Sequence, residues 1–201
     1  MKKIEFKKGQ WEEKLVHAYP FRFTETPQFM QGEDFIVNKE DPTRSDGYDY
    51  VSVMDKTPYP MGTKISAQTL FEAFGAPLVT ISDELYIDEN GNHKYQNYYE
   101  VVLWEKGINV WRIEFVDGEV TVDLVAGINI PLEAGKKHNV SVEIWDKRLI
   151  IDINGQYINL MAPKLPKNVY LGVTACENIN KFYTMEIETE IKEFDKSFYG
   201  M

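Results

Sequence analysis

The sequence predicts an all-β protein, an antiparallel β-sandwich with few short helices, and three observations predict it. Strand-length apolar runs recur between turn signals at regular spacing, the clearest of them alternate with a period of two, and no segment sustains a long helical repeat. No linker, low-complexity tract or internal repeat interrupts the pattern, so residues 1–201 read as a single domain.

Along the amino-terminal half, strands are expected at 20–24, 33–37, 48–54, 63–71 and 77–82. Pro42, Gly47, Pro58, Pro60 and Gly62 punctuate the joints. Segments 10–18 and 67–75 carry short helix-compatible patterns that aromatics, Gly75 and Pro77 limit. FEAFGAP, residues 71–77, reads as a tight corner between strands. In DENGNH, Asp88, Asn90 and Asn92 show the alternate oxygen spacing of a calcium loop. The downstream glycine and bidentate glutamate of an EF-hand are missing, and Asn90-Gly91 makes a good hairpin turn.

The middle of the chain predicts a meander of strands 97–105, 109–116 and 119–125. Glu105-Lys106-Gly107 fits a three-residue loop with glycine in the left-handed position, and Asp117-Gly118 fits a two-residue loop. Pairing Trp104 with Ile108 and Val116 with Glu119 puts Tyr99, Val101, Trp111, Ile113, Phe115, Val120, Val122 and Leu124 on a core face. Tyr98, Glu100, Trp104, Arg112, Glu114, Thr121 and Asp123 then share the opposite face.

Strands 138–145, 148–153 and 156–161 follow, joined at Asp146-Lys147 and Asn154-Gly155. Asn-Gly suits a two-residue type I′ turn, whose two central residues both need positive φ. If Trp145 pairs with Arg148, Val140, Val142 and Ile144 meet Ile153, Ile151 and Leu149; if Ile153 pairs with Gln156, Ile158 and Leu160 join them. Strands 168–174 and 181–191 close the chain before a tail, DKSFYGM.

Composition narrows the function. Hydrophobic residues at 43% and charged ones at 27% suit a globular protein able to bury its own core. The net charge of −10 argues against nucleic acid or an anionic membrane surface as partner, since phosphates need a basic field. MKKIEFKKGQWEEK turns charged before an apolar core develops, and no run reaches membrane-spanning length. A soluble, cytoplasmic product is expected, a trimmed secreted one being the alternative. The single Cys176 excludes an intramolecular disulfide and reads as a small buried hydrophobe.

KHNVSVEIWDKRLIIDINGQ is similar to the "H-x-V-x-V…L-x-I-x-I-N-G" hairpin of the concanavalin A-like lectin/glucanase superfamily. NVYLGVTACENINKFYTMEIE resembles the closing strands that follow it there. The resemblance, carried by roughly the last third of the chain, implies a jelly roll that laminin-G domains also use. It further implies an oligo- or polysaccharide partner, held across the concave face of one sheet in the manner of bacterial saccharide utilisation. A laminin-G-type calcium would be compatible with it, but no residue identifies one, and no cofactor is expected. The glucanases of the superfamily carry E-x-D-x-x-E or E-x-D-x-E on one strand. Here Glu84 and Asp88 are four apart with Tyr86 in place of the middle carboxylate, so that motif is broken.

The candidate site is therefore the polar face of the meander. Glu100 and Glu114, expected about 5–10 Å apart, form a candidate catalytic pair for glycoside hydrolysis or a polysaccharide lyase. Tyr98, Trp104, Arg112, Thr121 and Asp123 are the candidate ligand-binding residues, with rings to stack on pyranoses and charged groups to bond hydroxyls. The bland alternative is a solvent-facing ladder Glu100–Arg112–Asp123 of ion pairs worth at most about 1 kcal/mol each. A protein-interaction or oligomerising module is the third reading. His17, His93 and His138 show no ligand spacing, so no metal site is expected, and His138 reads as structural.

Overall fold

Sixteen strands arise from this sequence in a computed structural model that describes residues 1–21, 28–43, 47 and 50–192. They begin with β1 (Lys2–Glu5), β2 (Leu15–Pro20), β3 (Met30–Gln31), β4 (Ile36–Val37) and β5 (Val51–Asp55). Next come β6 (Tyr59–Pro60), β7 (Thr63–Phe71), β8 (Ala76–Ile87), β9 (His93–Trp104), β10 (Gly107–Val116) and β11 (Glu119–Asn129). The last are β12 (Lys137–Trp145), β13 (Arg148–Ile153), β14 (Gln156–Met161), β15 (Asn168–Cys176) and β16 (Asn180–Glu188). No helix occurs among the described residues. The expected helix-compatible segments 10–18 and 67–75 are strands where they are regular, 15–18 within β2 and 67–71 within β7, the latter burying alternate side chains. β1 and β2 were not expected, and β8 and β11 run past their expected ends. The expected strand 20–24, the start of 48–54 and the tail fall wholly or mostly outside the described residues.

The first sheet has the order β14-β13-β12-β7-β16-β4-β3, with β1 also on β16. Its hairpins follow their turn residues: Asn154 and Gly155 have φ of 51° and 87°, both positive as type I′ demands. Trp145 pairs with Arg148 and Ile153 with Gln156, so Val140, Val142 and Ile144 face Ile153, Ile151 and Leu149. All six are buried, each side chain contributing about 1.5–3 kcal/mol relative to exposure. His138 is structural: Asn154 Nδ2 lies 3.0 Å from its Nδ1, the carbonyl of Glu133 2.9 Å from its Nε2, and Phe71 stacks on its ring.

The second sheet packs Val51, Val53, Val79, Ile81, Tyr99, Val101, Leu103, Ile108, Val110, Leu171 and Val173 onto that layer in one core. β11, β10 and β9 lie side by side, β9 continues to β8, β8 to β15, and β15 to β5 and β6. β5 pairs with β2, and β2 returns to β9, Ala18–Pro20 running parallel to His93–Tyr95. Strands β9, β8, β15, β5 and β2 thus close a ring. Turned away from the main core, Ala18, Met54, Tyr95, Tyr98 and Ile113 fill a second, smaller cluster.

One expected register is wrong. Trp104 pairs with Gly107, not Ile108, across a two-residue turn at Glu105-Lys106. Gly107 is therefore a ladder residue, flanked by Trp104 and by Asn129 of β11. Its φ is 144°, and a Cβ there would stand 1.9 Å from the Ile128 carbonyl oxygen. The glycine serves a close approach of β11, not a left-handed loop position. The one-residue shift turns every side chain of β10 over relative to β9. Trp111 now faces the same side as Glu100, and Arg112 the same side as Tyr99. The β10–β11 pairing begins as expected at Val116 with Glu119, then admits Val125 as a bulge between Leu124 and Ala126.

Gly107→Ala is expected to lower the unfolding free energy by about 2–4 kcal/mol. Gly118→Ala, at φ 87° with nothing within 4 Å of the added carbon, should cost clearly less. Urea titration of both variants measures the difference, and equal losses would mean that crowding at Gly107 does not set the register.

Candidate functional site

The corrected register assembles a cleft of about 520 Å³ on the outer face of the second sheet. Two rows of side chains cross its strands. One runs Thr80, Glu100, Trp111, Leu124, and the next Leu78, Val102, Asn109. Trp104 continues the same face of β9. Phe74, from the corner between β7 and β8, and Glu177, from the turn between β15 and β16, stand at other walls.

Glu100 is the buried acid of this face, 7% exposed. The Tyr50 hydroxyl donates a hydrogen bond to it. Beside that pair the Tyr95 hydroxyl lies 2.9 Å from Ser52 Oγ, to which Thr174 Oγ1 donates at 2.7 Å, and Thr80 Oγ1 is 2.7 Å from Thr174 Oγ1. Burial, reinforced by the Glu100 charge, pushes both the Tyr50 and Tyr95 hydroxyls well above the usual phenol range, so both stay protonated. A hydroxyl that cannot ionise is a fixed donor, which holds Glu100 in place from below.

The turn carrying Glu177 is braced in a costly conformation. Glu177 and Asn178 have φ of 54° and 33°, a region that side chains other than glycine seldom adopt. The Asn180 amide donates to the carbonyls of Cys176 and Glu177 at 2.9 and 2.7 Å. Asn38 donates to the Asn178 carbonyl at 2.7 Å and accepts from the Asn180 amide N–H at 2.8 Å. Strain held by four hydrogen bonds at the lip of a cleft is the pattern of a site. Cys176, expected to be buried, is instead partly exposed and lines the cleft.

The expected site residues part company. Tyr98, Glu100 and Trp104 share the outer face, but Tyr98 is fully buried in the second cluster, with Tyr95 edge-on at 4.8 Å. Arg112, Glu114, Thr121 and Asp123 belong to the opposite face, because β10 is turned over; Arg112 pairs across with Asp123, and Glu114 with Thr121. Glu100 and Glu114 are therefore not a pair, and the ladder Glu100–Arg112–Asp123 does not form. Arg112 is buried, its guanidinium 4.7 Å from the Tyr99 ring, bonded to Asp83 at 3.0 and 2.7 Å and to Glu114 at 3.2 Å. Lys164, just beyond β14, pairs with Glu114. Burial raises the Asp83 carboxyl despite Arg112, whereas at Glu114 burial is outweighed by Lys164 and Arg112 and the carboxyl sits low. This cluster ties β8 and β10 to the segment after β14.

Sequence reasoning missed Trp111 as an outward residue, along with Asn109, Phe74 and Glu177. The signal for the first two was Gly107 read as a ladder glycine; for Glu177 it was the asparagine-rich turn ENIN. The broken carboxylate string lies away from the cleft: Glu84 pairs opposite Gln96, and the Asp88 carboxylate accepts the Asn90 and Asn92 amide N–H groups as a turn cap. Among the described residues no group of three His, Cys, Asp or Glu side chains is placed to hold a metal ion.

Comparison with solved structures identifies the architecture. A carbohydrate-binding module, CBM66 from Bacillus subtilis, superposes with a TM-score of 0.57 at 14% identity, over 82% of this chain and 92% of that one. A glycoside hydrolase family 16 endo-glucanase from Bacteroides ovatus gives 0.63 at 10% identity, over 93% and 99%. The exoplasmic/lumenal domain of VIP36, bound to calcium and Man3GlcNAc, gives 0.63 at 11% identity, over 99% and 92%. The fold is the concanavalin A-like jelly roll. No family model matches the sequence, and no curated protein matches it.

Tyr50→Phe should cost about 1–3 kcal/mol of stability, because it leaves a buried carboxylate short of a donor. Glu100→Gln combined with it should cost less than the sum of the single changes, by a coupling measurable in a double-mutant cycle. Strict additivity would show that the hydroxyl does not hold Glu100.

Proposed function

We propose that the protein recognises an oligo- or polysaccharide in the cleft on the outer face of the second sheet. The observation that carries this reading is the placement of Trp104 and Trp111 on one face with the buried acceptor Glu100 and with Asn109. Aromatic rings offer an apolar surface to the C–H face of a pyranose, while a few fixed polar groups bond its hydroxyls and set orientation. Large aromatic side chains on an outward sheet face otherwise cost solubility. The solved structures that share the fold include a carbohydrate-binding module and a sugar-bound VIP36 domain, which supports the reading.

Glu100 and Glu177 both line the cleft, and this favours a second reading, hydrolysis of the bound saccharide. The earlier pair, Glu100 with Glu114, cannot perform it across the sheet. In the hydrolytic reading Glu100 and Glu177 take the acid and base roles, and the Tyr50 hydroxyl keeps Glu100 oriented.

A glycan array followed by calorimetry and product analysis tests both. Trp104→Ala and Trp111→Ala should each weaken binding about tenfold or more, with the unfolding midpoint checked alongside. Binding kept in Glu100→Gln with no products at any stage identifies a recognition module. Products made by the wild type and lost in Glu100→Gln identify an enzyme. Failure of every glycan to bind would sink both readings.

A further inference from the structure

We propose that β11 is a docking edge for a second copy of this chain, the two strands pairing antiparallel about a twofold axis at Val122. β11 ends the second sheet: among the described residues β10 lies on one side of it and no strand on the other. Its first six residues, from Glu119 to Leu124, are all exposed. The hairpin turn fixes which of them offer backbone bonds to the open side. Asp117 and Gly118 have φ of 52° and 87°, both positive, as a two-residue type I′ turn requires. Such a turn is closed by a pair that exchanges both backbone bonds, here Val116 with Glu119, and bonded and non-bonded pairs alternate from it. Thr121 and Asp123 therefore bond to β10, while the N–H and C=O groups of Val120, Val122 and Leu124 point to the open edge. The same three residues place their side chains on the outer face, 45%, 50% and 53% exposed, beside Phe115 at 40%. An edge with outward N–H and C=O groups, an apolar side and no lysine or proline is a template for a further strand.

Charge selects the occupant and its register. With the axis at Val122, that residue meets its own copy, Val120 meets Leu124, and Thr121 meets Asp123. The apolar row is continued and no two acids face each other. Glu119 falls opposite Val125, the bulged residue. An axis at Thr121 would set Glu119 against Asp123, and one at Asp123 would set that acid against itself. An axis between residues would turn the apolar row of one copy to the polar row of the other. The segment 119–125 is thus complementary to itself in one register. Seven residues a side are far fewer than the roughly 20–30 of a standard interface, so the dimer is reversible. Directly opposite residues share a face, so both clefts, which Val122 lines, open on one side of a continuous sheet.

Sedimentation equilibrium of the full chain tests this, with the concentration raised a hundredfold or so. The mass should climb from 23.4 kDa towards twice that. Each copy carries a charge of −10, so NaCl at about 0.5 M should strengthen association by screening their repulsion. Thr121→Lys sets an ammonium against Asp123 of the other copy, twice over, and should tighten association about threefold or more. Thr121→Glu opposes acids at the same two places and should weaken it about threefold or more. Asn159→Lys and Asn159→Glu make matching charge changes on β14, the exposed edge strand of the first sheet, and should alter it less than about twofold. Both positions are exposed, and circular dichroism checks the fold of all four variants. A monomer at every concentration overturns the inference. So does association that ignores the Thr121 changes or follows those at Asn159.

Discussion

The approach of β11 to Gly107 is the constraint on which the functional face depends. Where any other residue would place a Cβ, the Ile128 carbonyl oxygen is 1.9 Å away. Only a glycine lets β10 sit between β9 and β11 in this register, and the register decides which side of the sheet each residue of β10 meets. Trp111 and Asn109 join Glu100 outside; Arg112 and Glu114 go to the other side. A contact between backbones, made by a residue with no side chain, therefore selects the side chains of the cleft.

Closure of the ring is the second determinant. The main core needs only the two sheets, and its residues alternate along each strand as a sandwich requires. The second cluster exists because β2 spans from β5 to β9, which covers Tyr98 and Met54. The outer face is thereby divided. One part is sealed beneath β2 with its hydroxyls bonded in a chain, and the rest stays open as the cleft. Tyr50 stands where the two meet, its hydroxyl on Glu100.

Much of this was legible in the sequence, and the failures have physical causes. The hairpins at Asp146-Lys147 and Asn154-Gly155 were read to the residue because turn chemistry and the apolar alternation agree, leaving one register that buries Val140, Val142 and Ile144. At Glu105-Lys106-Gly107 two loops were possible, and each gave an acceptable apolar face. Trp111, Ile113 and Phe115 pass for core as readily as Ile108 and Val110, and a buried Arg112 breaks the polarity rule outright. Arg112 survives in the interior only because Asp83 and Glu114 lie against it, and Asp83 sits on another strand, invisible to local pattern. β1 and β2 escaped notice for a similar reason: a short strand beside charged residues signals little until its distant partner is known.

The pairing of β1 with β16, Lys2 opposite Ile187 and Glu5 opposite Thr184, joins the earliest described strand to the latest. During synthesis β1 emerges first, and its partner is the last of these strands to be made. Until then the edge of β1 has no neighbour in the chain, and the first sheet has no complete centre, since β16 also pairs with β7. Loop closure over so long a separation is slow to nucleate. The sandwich is accordingly a structure that completes itself only after translation has passed β16, with one edge of β7 left open in the interval while its other edge already holds β12.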